Sequence, residues 1–111
     1  MAVKDYYKII FIILTELFDC KESGKRINTD NINAERFNIE TSYYISIIAD
    51  LLYDGYIRGI KIHVTKSGRF ISGFEDMEIT RAGIDYLNEN SVMKKVYKHL
   101  KELRDWMSVI K

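Results

Sequence analysis

The stretch spanning residues 51–90 constrains the fold of this chain more than any other. An apolar helical run stops at Asp54-Gly55 and is followed by two strand-like segments, residues 56–64 and 70–79. A second helix then opens with Ile79-Thr80-x-x-Gly83-x-x-Tyr86-Leu87. In the first segment Ile60, Ile62 and Val64 alternate with polar residues, as in a half-buried strand. Lys66-Ser67-Gly68-Arg69 suits a hairpin tip, with Gly68 supplying the positive φ. Gly73 marks a bulge or bend in the returning strand. Thr80 is placed to cap the helix at residues 81–89, whose inward residues are Ile84 and Leu87. Helix, hairpin, helix is the resulting order.

The residues before this stretch supply two more helices and most of the one that stops at Asp54-Gly55. Residues 5–21 carry Tyr6, Ile10, Ile13, Leu17 and Cys20 at spacings of 4, 3, 4 and 3, a helical stripe that Ile9 and Phe18 widen. Gly24 ends that helix in a left-handed position. Residues 25–28 read as a short edge strand with Ile27 inward. Thr29 or Asp30 caps a short second helix through Phe37, with Ile32 and Phe37 inward. Thr41 caps a third helix over residues 42–53. Its buried face centres on Ile48 with Tyr44, Ile45, Leu51 and Leu52. Ile47 and Ala49 flank it, and Ser42, Tyr43, Ser46, Asp50 and Tyr53 point outward. After Asn90, Met93, Val96, Leu100, Leu103, Met107 and Ile110 recur at 3, 4, 3, 4 and 3 in a last helix. The expected class is α+β, mostly α: a winged helix-turn-helix with a three-helix core, a β-hairpin wing and an additional long C-terminal helix. It forms one domain over residues 1–111, with 1–90 as core and 91–111 for packing or dimerisation.

Charge narrows the function. Aliphatic, aromatic and Cys residues make up 47% of the chain, charged residues 30%, and the net charge is only +1, so any nucleic-acid contact must come from a local patch. A winged helix sets its third helix in the major groove and its hairpin against the backbone or minor groove. Thr41, Ser42, Tyr43 and Ser46 would face the DNA from the helix, yet no Lys or Arg lies between Phe37 and Asp54 to read guanine. The hairpin is better suited. Between Tyr56 and Phe74 it carries Arg58, Lys61, Lys66, Arg69 and His63 and no Asp or Glu, enough to neutralise about two to four phosphates. The competing reading is a hairpin solvated by its cations, which also blunt its edges.

The stripe of the last helix either packs on the first helix or forms a dimer seam, with Trp106 as an interface anchor. Cys20, His63 and His99 lie on separate elements at no metal-ligand spacing, which argues against a metal or a cofactor. Glu75, Asp76 and Glu78 read as a solvated acidic loop rather than an acid-base pair, and no phosphate-binding or nucleophile motif occurs, so an enzyme is not expected. Residues 9–14 are apolar but far short of the ~20 residues a spanning helix needs. That points away from a membrane, and a lone cysteine suits a reducing cytoplasm.

Gly55-Tyr56-Ile57 with Gly59, and Ile79-Thr80-x-x-Gly83-Ile84-x-Tyr86-Leu87-x-Glu89-Asn90-Ser91-x-Met93-Lys94, resemble the YjcQ-like family of small winged-helix proteins from bacteria and their phages. The first helix and residues 98–106 look similar as well. The resemblance implies a winged-helix fold and a regulatory or phage-associated role, and it brings no catalytic residues. The expected function is duplex-DNA binding by a homodimeric transcriptional regulator. The alternative is a protein-interaction module on the same scaffold, favoured by the near-neutral charge, Asp50 and the tyrosines of the third helix.

Overall fold

A computed structural model describes residues 3–90 of the chain. Among these residues the architecture is α+β and mostly helical, with four helices and two small antiparallel sheets. Helix α1 (Val3–Ser23) is the longest element among the described residues. Its residues Ile9 to Leu14 are all buried, so it is enclosed on every side over that length, which the stripe at 3–4 spacing understates. Phe11, Ile12 and Leu14 join the core, whereas Tyr6 and Cys20 are only half-buried. Residues 25–28 are loop rather than strand, although Ile27 is buried as its pattern requires.

The next segment divides in two. A 3-10 turn (Thr29–Asn31) is capped by the Asn28 side chain, and helix α2 (Ala34–Phe37) by the Asn33 side chain. Both caps differ from the expected Thr29 or Asp30. Asparagine accepts the free N–H groups of a helix start as well as Thr or Asp does, so four candidate cappers in a row, Asn28 to Asn31, with Asn33 close behind, left the boundary ambiguous. Ile32 and Phe37 are fully buried. Asn38 turns the chain in the left-handed region (φ 57°).

Helix α3 spans Thr41–Tyr53. Thr41 is its first helical residue rather than its cap; Glu40 holds the cap position and its side chain makes no capping bond. The buried face comprises Tyr44, Ile47, Ile48, Ala49 and Leu51. Ile47 and Ala49 are thus buried outright, because α1 and α2 both pack on this helix, while Ile45 and Leu52 are half-buried. The Tyr44 hydroxyl donates to the Ile32 carbonyl, tying α3 to the loop before α2, and burial pushes its pKa up.

Each expected strand is broken once. The outgoing segment forms β1 (Ile57–Arg58) and β2 (Lys61–Thr65), and the returning one β3 (Gly68–Ser72) and β4 (Glu78–Ile79). β1 pairs with β4, Ile57 opposite Ile79. β2 pairs with β3, from Lys61 opposite Ser72 to Thr65 opposite Gly68 around the loop Lys66-Ser67. The break falls at Gly59 (φ 94°), where a Cβ would sit 2.1 Å from the Asp76 carbonyl oxygen, and at the 3-10 turn Phe74–Asp76. Only glycine lets the two backbones approach so closely.

Helix α4 (Arg81–Glu89) is capped as expected, Thr80 Oγ1 accepting from the Gly83 N–H at 3.2 Å. A Cβ on Gly83 would lie 2.5 Å from the Tyr56 carbonyl oxygen, so glycine sets how closely α4 approaches the backbone just before β1. Tyr86 meets Tyr56 with ring centroids 5.2 Å apart, and Leu87 is buried while Ile84 is half-buried. The last helix and its stripe (Met93, Val96, Leu100, Leu103, Trp106, Met107, Ile110), with His99, lie outside the described residues.

Candidate nucleic-acid interface

Two elements meet where the sequence places its candidate contacts. The outward face of α3 exposes Thr41 and Ser42 and half-buries Tyr43 and Ser46. The β2–β3 hairpin exposes Lys61, Lys66 and Arg69. Arg69 Nη2 donates to Ser46 Oγ at 3.1 Å, so the hairpin tip leans on the outward face of the helix. One guanidinium is therefore shared between helix and hairpin, with four N–H donors left for other acceptors.

Arg58 behaves differently from the other cations. It sits on β1 opposite Glu78, and its Nε donates to Glu78 Oε1 at 2.5 Å. That hydrogen bond and the guanidinium charge hold the Glu78 carboxyl below the usual carboxylate range. Arg58 is thereby neutralised locally and belongs to the base of the hairpin, apart from the tip. The charge count of the sequence, free of acids between Tyr56 and Phe74, missed this because Glu78 lies just beyond that window and the break at Gly59 pairs the two residues.

Asp50 is likewise engaged. It accepts from the Tyr6 hydroxyl of α1, and burial, then this bond, raises the Tyr6 pKa. Its carboxylate is oriented toward α1, which lessens the objection that an acid on α3 would repel phosphate. The N-terminal end of α3 opens onto a depression of about 660 Å³ lined by Asn38, Ile39, Glu40, Thr41 and Tyr43.

The family model for the YjcQ protein matches residues 11–106, most of the chain. The chain belongs to the YjcQ family. A relative in Bacillus subtilis (strain 168), described as "Uncharacterized protein YjcQ", is 28% identical over 105 residues, covering 90% of this chain and 95% of the relative. No solved structure matches. Among the described residues of this YjcQ-family chain, no helix is long and apolar enough to cross a membrane, and no three His, Cys, Asp or Glu side chains are grouped to hold a metal ion.

A second groove escaped the sequence reading. It encloses about 480 Å³ between α2, α3 and β3, and its apolar lining includes Tyr44, Ile45, Phe70, Ile71 and Phe74. Phe70 is 50% exposed and its ring stacks on His63, with centroids 4.5 Å apart and planes 13° from parallel. The sequence carried one usable signal for this pair: in a hairpin with a two-residue loop at Lys66-Ser67, His63 and Phe70 fall opposite each other.

Proposed function

We propose that this YjcQ-family protein binds duplex DNA through a winged-helix arrangement, with α3 as the groove-facing helix and the β2–β3 hairpin as the wing. The observation that carries the reading is the Arg69–Ser46 contact, which joins the cationic hairpin tip and the hydroxyl-bearing face of α3 into one surface. Ser42, Tyr43 and Ser46 offer hydroxyls to phosphates and base edges, and Thr41 sits at the helix N-terminus, which favours a phosphate. Lys61, Lys66 and Arg69 hold the backbone, with Arg58 a minor participant because Glu78 occupies it. Such a surface gives modest, salt-sensitive affinity with little guanine preference, since α3 carries no Arg or Lys. The biological role that fits is a transcriptional regulator of a bacterium or phage. It would act as a homodimer through the stripe from Met93 to Ile110, which light scattering at two concentrations tests.

Fluorescence anisotropy with mixed-sequence duplex DNA from low to moderate salt tests the DNA reading. Binding is expected at micromolar protein and low salt; its absence there ends the proposal. Replacing both Lys66 and Arg69 by Ala should weaken binding on every sequence and reduce the salt slope by about two. A double variant that binds like the parent removes the wing from the interface. The second reading, a protein-interaction module on this scaffold, draws support from Tyr53, 71% exposed on α3, and from Val64, 79% exposed on the hairpin.

A further inference from the structure

Duplex binding leaves the ring pair on the hairpin unused. Phe70 exposes half its surface, a stacked neighbour fixes its plane, and His63 is itself held by a 2.8 Å hydrogen bond to Ser72 Oγ. A lone exposed apolar residue needs no explanation. Phe70 differs in having its ring orientation set in advance, and it sits on a hairpin whose charged side chains, Lys61, Lys66 and Arg69, are all cationic. It also lines the 480 Å³ groove with Tyr44, Ile45 and Phe74. An oriented ring, an aromatic groove and adjacent cations are what a single nucleic-acid strand requires. The bases stack on rings regardless of sequence, and the phosphates follow the positive charge.

We propose that the groove beside Phe70 receives an unpaired base of single-stranded DNA. The base stacks on the Phe70 ring while the flanking phosphates lie against Lys66 and Arg69. This rests on the nucleic-acid reading above and narrows it to strands with an unstacked base. Glu35 of α2 also lines the groove. Its carboxylate repels phosphate and accepts from exocyclic amino groups, so the base enters and the phosphate stays on the hairpin side. Adenine and cytosine, which carry such a group, are favoured over thymine.

The test compares a labelled single-stranded deoxyadenylate oligomer with a mixed-sequence duplex by anisotropy at low salt, for the parent, Phe70→Leu and Phe70→Tyr proteins. Because Phe70 is half exposed, neither variant disturbs the core, and circular dichroism verifies this. The Leu variant should lose on the order of five-fold or more in single-strand affinity with the duplex affinity nearly unchanged, and the Tyr variant should retain single-strand binding. The proposal is overturned if Leu binds the single strand like the parent, if it weakens both DNAs equally, or if Tyr fails as badly as Leu. Duplex binding without single-strand binding overturns this inference alone, and loss of both overturns the duplex reading with it.

Discussion

The two small sheets are made from the same two chain segments, yet they do opposite things. The inner pair, β1 with β4, is two residues long, and Ile57 and Ile79 are buried where α3 meets β1 and where α1 and α4 meet β4. The outer pair, β2 with β3, is five residues long and largely in water, with Val64 79% exposed. Gly59 and the Phe74–Asp76 turn separate them. The difference is a division of labour: the inner sheet fixes where the hairpin leaves the body, and the outer sheet carries side chains that the body does not need. Substitutions in the inner pair should therefore be read out as stability, and substitutions in the outer pair as binding.

Ile79→Ala is expected to have the largest effect. The side chain is fully buried at the junction of α1, β1 and α4, so its removal leaves a cavity and should cost about 2–5 kcal/mol in urea unfolding. The Lys66/Arg69 double alanine variant sharpens the contrast, because its unfolding free energy should stay within about 0.5 kcal/mol of the parent's while DNA affinity falls. If the double variant is as unstable as Ile79→Ala, the two sheets are not independent and the division fails. Tyr44→Phe comes next. It removes the donor to the Ile32 carbonyl from a buried site and should cost about 1–3 kcal/mol. The folded-state pKa of Tyr44 is raised above the ordinary tyrosine value of 10.0. Its contribution is thus complete below that value and is lost as pH rises above it. In the Phe variant the alkaline decline in stability should be shallower, as urea unfolding at neutral and alkaline pH would reveal.

The same division explains what the sequence made legible. Apolar periodicity located all four helices within the described residues and named Ile32, Phe37, Tyr44, Ile48, Leu51 and Leu87 as core, because burial repeats with the helical period. Thr80 was legible as a cap because it stands directly before a periodic run. The bend at Gly73 was legible too, because a glycine inside a strand run marks one, but the break at Gly59 was not, since strand alternation carries no mark of where a partner ends. The candidate interface was legible only as composition. Lys66 and Arg69 stood out as cations in an acid-free window, but the Arg69–Ser46 contact spans 23 positions and the Arg58–Glu78 pair 20, and the first depends on where the hairpin lies against α3 and the second on the β1–β4 register. Phe70 read as an ordinary strand residue because exposure is a property of the finished surface.

The smallest expected effect probes the boundary between the sheets. Arg58 and Glu78 face each other on the exposed side of β1 and β4 and are both largely in water, so their pairing is screened and weak. The sign of its pH dependence is nevertheless set. The folded-state pKa of Glu78 lies below its ordinary value, by the Arg58 hydrogen bond first and the Arg58 charge second. The stabilisation is therefore present above the ordinary carboxylate pKa and is lost as pH falls through the depressed one. Arg58→Ala should differ slightly from the parent at neutral pH and converge with it in acid, and added salt should shrink the neutral-pH gap. Titration of the Glu78 carboxyl by NMR in both proteins gives the direct readout: its pKa should rise in the variant. If it does not move, the pair is not formed in solution, and Arg58 returns to the pool of cations available to the hairpin tip.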